Sequence, residues 1–242
     1  MKSSQERPGT FVLVHGAWSG GWCYFKVAER LRARGHRVYT PTLTGQGERA
    51  HLLTGTINLS LHIADILNVM HCEGLRDVVL AGHSYGGMVI TGVGDRVPDK
   101  ISALVYLDAF LPEDGQSLFD INVAKNSQAF LTNAGGIGGL AVPPPPAAFF
   151  NVNAEDAARV DALATPHPLG AFTEKIKLSG AHKRIARHIY VHGTILPRES
   201  PFRPFYDRVK DDPAWQAHTL ACGHDVMLDM PDRVTEILES AL

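Results

Sequence analysis

Short runs of consecutive apolar residues alternate along this chain with stretches in which apolar positions recur every three or four residues. The runs at residues 10–14, 77–81, 101–108 and 188–193 are five to eight residues long and rich in Val, Ile, Leu and Tyr, which predicts strands buried on both faces. Residues 37–40, closed by Pro41, and 215–220 read as two further strands of more mixed composition. Between them, residues 24–34 place Phe25, Val27, Ala28 and Leu31 among charges, and Gly35 follows. That pattern predicts an amphipathic helix with a glycine stop. Residues 61–72 carry Ile63, Ile66, Leu67 and Met70 at helical spacing, and residues 231–242 predict a closing helix. Residues 43–55, with Gly45, Gly47 and Gly55, read as a polar loop. Strands alternating with helices at this spacing imply parallel βαβ units: an α/β fold with a mostly parallel, doubly wound sheet covered on both faces.

The alternation stops between residues 112 and about 185. That stretch contains a glycine cluster at 135–139, the tetraproline Pro143–Pro146, the pair Phe149-Phe150 and one helical pattern over 155–164, with no run resembling a buried strand. Some 70 residues exceed what a simple loop needs in a compact domain. Recurring Leu, Phe, Ile and Val argue against a disordered linker. The expectation is one domain over residues 1–242, with an inserted cap lying over a site.

The most informative segment begins at Val78, where an apolar run enters Gly82-His83-Ser84-Tyr85-Gly86 and a small-residue helical pattern leaves it through Thr91. Gly-x-Ser-x-Gly between strand and helix is the signature of a nucleophile elbow, a tight turn that pushes the serine hydroxyl clear of the backbone. A serine hydroxyl is a weak nucleophile near neutral pH, so it needs a base, and the base needs an orienting partner. Ala221-Cys222-Gly223-His224-Asp225 lies between the last strand and the last helix, which makes His224 the candidate base. His83 is expected to pack beneath the turn and His15 to brace the loop that follows the first strand.

The acid is less directly marked. The turn after the strand at 188–193 reads Thr194-Ile195-Leu196-Pro197-Arg198-Glu199, which supplies Glu199 but no aspartate. Asp108 ends the nearly all-apolar strand one step beyond the elbow, at the edge where parallel sheets present functional groups. A carboxylate there is costly to desolvate unless something binds it. That argument favours Asp108, with Glu199 as the alternative acid. For the oxyanion, the expected donors are the backbone N–H groups of Tyr85 and of Ala17, in His15-Gly16-Ala17-Trp18-Ser19-Gly20-Gly21-Trp22. Trp18 and Trp22 either line the pocket or pack beneath it. Phe119, Phe130, Phe149 and Phe150 are candidates for an apolar substrate pocket.

Composition narrows the alternatives. The 242 residues carry 23 basic and 25 acidic side chains, a formal net charge of −2, with no basic tract. Nucleic acid is therefore an unexpected partner. No apolar stretch approaches a membrane span, and the first ten residues lack the apolar core of a signal peptide. Cys23, Cys72 and Cys222 are an odd number without metal-ligand spacing, which suits a reducing, cytoplasmic setting. Neither a metal nor a cofactor is called for.

His15-Gly16-Ala17-Trp18-Ser19-Gly20-Gly21-Trp22, Gly82-His83-Ser84-Tyr85-Gly86-Gly87-Met88 and Leu107-Asp108-Ala109-Phe110-Leu111-Pro112-Glu113-Asp114-Gly115 together resemble the α/β-hydrolase superfamily. The branch they resemble is the small-ester one, with plant methylesterases, hydroxynitrile lyases and bacterial esterases. The resemblance implies an α/β-hydrolase fold and a serine hydrolase that cleaves a small, fairly apolar carboxylic ester through an acyl-enzyme. It carries Ser84 and His224 over as nucleophile and base, and Ala17 and Tyr85 as oxyanion donors; relatives often form homodimers. Two rival readings follow from the same scaffold, a hydroxynitrile lyase-like C–C lyase and a ligand-binding protein with little turnover. The lyases of this branch carry a lysine directly after the histidine to hold cyanide. Here that position is Asp225, an anion that would repel it. Lactonase and amidase activity share the acyl-enzyme route and are not separable by sequence.

Overall fold

The computed structural model describes residues 8–136, 138–196 and 199–242. Strands β1 (Thr10–Val14), β2 (Arg37–Tyr39), β3 (Val78–His83) and β4 (Ile101–Leu107) alternate with helices α1 (Phe25–Ala33), α2 (Leu59–Cys72) and α3 (Gly86–Arg96). The inserted segment then contributes α4 (Leu118–Ile121), α5 (Ala124–Gly135), β5 (Ala141–Val142), α6 (Ala154–Leu163), β6 (His167–Pro168) and α7 (Leu169–Thr173). β7 (Arg187–Gly193), α8 (Arg203–Val209), β8 (Trp215–Leu220), α9 (Val226–Asp229) and α10 (Pro231–Glu239) complete the chain.

Six strands form one parallel sheet in the order β2-β1-β3-β4-β7-β8. Crossover helices pack on both faces. Side chains of alternate strand residues therefore enter two separate cores: Val12, Val14, Leu80, Leu104 and Tyr106 on one face, Phe11, Leu13, Val79, Val105 and Ile189 on the other. This is why the central strands read as unbroken apolar runs rather than alternating ones.

Several features depart from the sequence expectation. Within 112–185, α4, α5 and α7 form besides the expected helix α6, and β5 and β6 pair as a two-residue antiparallel ladder, too short to register as an apolar run. Helix α8 lies in a stretch where no helix is expected; Pro204 sits in its first turn, where the missing N–H costs nothing, and Phe205 and Val209 bury on one side. Among the described residues, no helix is long and apolar enough to cross a membrane.

Candidate active site

The site gathers at the carboxyl ends of β1, β3, β4 and β7. Ser84 follows β3 directly, with a backbone φ of 52°. That left-handed conformation costs a non-glycine residue about 1–2 kcal/mol, and the surrounding turn must enforce it. The enforcement comes from close backbone approach: a Cβ on Gly82 would fall 2.6 Å from the Gly86 carbonyl oxygen, and one on Gly86 would fall 2.6 Å from that of Val14. Two other non-glycine residues of the site share the strain, Trp18 (φ 62°) and Asp108 (φ 42°). Such outliers concentrate where geometry is dictated by function rather than by local preference.

Asp108 caps β4 and is fully buried. Its Oδ2 accepts a hydrogen bond from His224 Nδ1 at 2.7 Å. Its Oδ1 accepts from His192 Nδ1 at 2.8 Å and from the Gly193 N–H at 3.1 Å. Three donors thus satisfy a carboxylate that burial alone would penalise heavily. Glu199, the alternative acid, is exposed. The structure places Asp108 and not Glu199 against His224. His192 escapes a sequence reading because nothing in Tyr190-Val191-His192-Gly193 distinguishes it from a strand-end residue. Only the parallel register of β4 and β7, Leu107 opposite Val191, brings it beside Asp108.

The His224 ring is boxed in by other rings. Phe202 stacks on it nearly parallel, with centroids 4.6 Å apart, while His83 lies at 4.4 Å and Phe150 at 5.4 Å. Its loop is pinned from the inserted segment: the His224 N–H donates to the Phe150 carbonyl at 2.9 Å, and Asp229 accepts from both the Gly223 N–H and Asn153.

Beneath the elbow, His83 Nε2 donates to the His224 carbonyl at 3.0 Å, so this histidine braces the turn from within. His15 holds the loop after β1: its Nδ1–H donates to the Gly16 carbonyl at 2.7 Å, and its Nε2 accepts from the Leu43 N–H at 3.0 Å. The backbone N–H groups of Ala17 and Tyr85 carry no hydrogen bond to any described residue. Gly16 lets this loop approach Ser84, since a Cβ there would sit 2.9 Å from the Ser84 Cβ. The Tyr85 phenol points away into the core and donates to His62 Nδ1 at 2.8 Å.

Burial sets the charge state of the supporting histidines. It pushes His15 and His62 down to about 4 and His83 well below its ordinary value, so all three are neutral at pH 7. Burial pushes Asp225 the other way, up to about 6; Asp229, Asp108 and Asp156 add to the rise, and His224 opposes it.

Ser84 and His224 face two cavities together. One is walled by Phe110, Phe130, Phe149, Phe150, Phe172 and Phe202, with Asn122 and Asn126 also on its lining. Of the four phenylalanines expected there, Phe119 is displaced: it lies behind the wall, 5.7 Å from the Phe172 ring. Phe110, Phe172 and Phe202 take part without any sequence signal: Phe110 follows β4, Phe172 lies in α7 and Phe202 precedes α8, so only tertiary packing brings them together. Trp18 borders both cavities, its indole N–H tied to the Val142 carbonyl at 2.9 Å, and Trp22 borders the second. Among the described residues, no group of three or more His, Cys, Asp or Glu could hold a metal ion.

The comparisons point the same way as the geometry. Residues 11–237 match the model of the alpha/beta hydrolase family. A carbendazim hydrolyzing esterase of Nocardioides sp. (strain SG-4G) is 44% identical over 236 residues, covering 94% of this chain and 97% of that protein. Methylesterase 8 of Arabidopsis thaliana is 36% identical over 132 residues, 54% of this chain and 45% of its own. Among solved structures, an extracellular alpha/beta-hydrolase from a Paenibacillus species superposes with a TM-score of 0.84 at 27% identity, covering 97% of this chain and 99% of its own.

Proposed function

Because this chain belongs to the alpha/beta hydrolase family, and esterases are among its relatives, we propose that it hydrolyses a small carboxylic ester with Ser84 as nucleophile, His224 as base and Asp108 as acid. The observation that carries this reading is the chain of contacts from the buried Asp108 to His224, whose ring faces the same two cavities as the strained Ser84.

The ester carbonyl lies over Ser84 with its oxygen toward the free N–H groups of Ala17 and Tyr85. Ser84 Oγ attacks the carbonyl carbon as His224 Nε2 takes its proton. Asp108 holds the imidazole with Nδ1 protonated, so that Nε2 carries the lone pair, and stabilises the imidazolium that forms. The two amides receive the tetrahedral oxyanion, each contributing roughly 10²–10³ in rate. Collapse expels the alkoxide, which takes the proton back from His224, and leaves Ser84 acylated. Water, deprotonated by His224, then releases the acid and restores the serine. The segment 112–185 acts as a cap, and its phenylalanines give one substrate portion an apolar seat.

Ser84→Ala is expected to abolish turnover of p-nitrophenyl butyrate and labelling by a fluorophosphonate probe, while wild type shows both. Undiminished turnover in the variant would remove Ser84 from the mechanism. An unlabelled wild-type serine would support a ligand-binding protein instead.

A further inference from the structure

The loop that carries His224 is built directly against the inserted segment. Gly223 has no room on that side, since a Cβ there would fall 2.2 Å from the Asn151 carbonyl oxygen. The polar part of the contact runs through one residue, Asn153, whose carboxamide is committed at both ends. Oδ1 accepts from the N–H groups of Glu155 and Asp156, both at 3.0 Å, and so caps α6. Nδ2 donates to Asp229 Oδ1 at 2.8 Å and to Asp156 Oδ2 at 2.6 Å. The Asn153 backbone N–H adds a second bond to Asp229 Oδ1, at 3.1 Å. The other oxygen of Asp229 accepts from the Gly223 N–H at 2.9 Å, one residue before His224. Lys26 on α1 anchors the far end, donating to Asp156 Oδ2 at 2.5 Å and to the Leu228 carbonyl at 3.3 Å.

Helix capping alone does not call for asparagine here, because serine and aspartate cap about as well. What asparagine adds is a donor: two helix N–H groups need an acceptor, two carboxylates need an N–H, and one amide meets both demands. Among the described residues, Asp229 is held by three N–H groups, two of them from Asn153. A shift of Asp229 would carry the Gly223 N–H with it, and the backbone of His224 follows. Resting on the ester-hydrolase reading, we propose that Asn153 is a positioning residue for the base: acting through Asp229, it fixes the Gly223-His224 backbone so that His224 Nε2 meets Ser84 Oγ. Asp108 sets the rotation and tautomer of the ring from the sheet edge. Asn153 sets the place of the main chain that bears the ring, from the inserted segment. The base thus has two separate supports.

Asn153→Ser keeps a cap for α6 and removes both Nδ2 donations without adding charge. Its kcat for p-nitrophenyl butyrate is expected to fall roughly 10–100-fold, the cost of a slightly misplaced catalytic group, with KM within about twofold of wild type. Rates are counted per Ser84 labelled to completion by the fluorophosphonate, so a loss of folded protein does not register as a loss of rate. Asp229→Ala should lower kcat at least as far, and the double variant no further than Asp229→Ala alone, because the two residues act in series. A merely structural role would lower the urea midpoint and leave kcat per labelled serine unchanged. An unchanged kcat, a loss carried by KM, or additive losses in the double variant would overturn the proposal. Should Asn153→Ser fail to fold, Asn153→Asp decides, since it keeps the cap and the shape but turns an oxygen toward Asp156 and Asp229. A comparable fall in its kcat at constant KM supports the role, and a kcat near wild type refutes it. If wild type turns over the ester and Asn153→Ser matches it, this inference alone fails. If wild type neither turns over the ester nor takes the label, the hydrolase reading fails and takes this one with it.

Discussion

Asp108 shows how much chemistry one side chain can gather. Its two oxygens divide between His224 on one side and His192 with the Gly193 N–H on the other, so the carboxylate has one position and the His224 ring follows it. Asp108→Asn keeps the volume but offers an amide in place of an acceptor, which disfavours the needed tautomer of His224. Its kcat is expected to fall by about 10³–10⁴, the range seen when a triad acid loses its charge, while Glu199→Gln stays within twofold. Comparable falls in both variants would return the acid to doubt. His192→Phe keeps the stacking against Tyr206 and removes one donor from Asp108 Oδ1. We expect kcat to fall about tenfold with KM nearly unchanged, and His192→Asn to recover part of it by restoring an N–H. A change confined to thermal stability would make His192 merely structural.

At the scale of elements, the elbow depends on β3 and α3 meeting almost in contact. The Gly82 position lies 2.6 Å from the Gly86 carbonyl oxygen and 2.7 Å from its carbon, atoms fixed in the main chain that cannot yield as a side chain can. Gly82→Ala should therefore cost about 2–4 kcal/mol, at or above the usual range for overpacking, read as a lowered urea midpoint with unchanged slope. A midpoint within experimental error of wild type would mean the turn is looser than its contacts imply. The same elements show where a sequence is legible. β1, β3, β4 and β7 announce themselves because both faces are buried along most of their length and apolar residues dominate them. The β5–β6 ladder does not, since two residues cannot display a period, and α8 does not, because charged Arg203, Asp207 and Arg208 occupy most of its single exposed face.

For the whole molecule, buried neutral histidines make acid the expected weakness. His15 and His62 are held near 4 in the folded chain against 6.5 when unfolded, and burial pushes His83 and His167 well below their ordinary value. A depressed histidine gives stability that is complete above its unfolded value and is lost as pH falls through 6.5 toward 4, because the unfolded chain takes up protons the folded one refuses. At 1.36 kcal/mol per pH unit, His15 and His62 each account for roughly 3 kcal/mol. Asp225, raised to about 6, has the opposite sign: its contribution is present at low pH and lost as pH rises through 6. The histidines outnumber it, so the urea midpoint should drop steeply between pH 6.5 and 4.5, and an equal midpoint at both would contradict the buried neutral set. Asp225→Asn should be more stable than wild type at pH 7.5, with the advantage shrinking toward pH 5.

The sequence by itself determined the parallel sheet, the elbow at Ser84, the loop that carries Ala17 and the candidacy of His224. Each depends on residues adjacent in the chain: an apolar run, a pair of glycines, a histidine between the last strand and the last helix. Only the tertiary structure could bring Asp108, and not Glu199, against His224, since 116 residues separate Asp108 from His224 and no local pattern encodes that meeting. The same holds for His192, which the β4–β7 register brings beside Asp108, and for the three added phenylalanines, which converge from the loop after β4, from α7 and from the residue before α8. These follow from packing between distant segments rather than from the order of residues along any one of them.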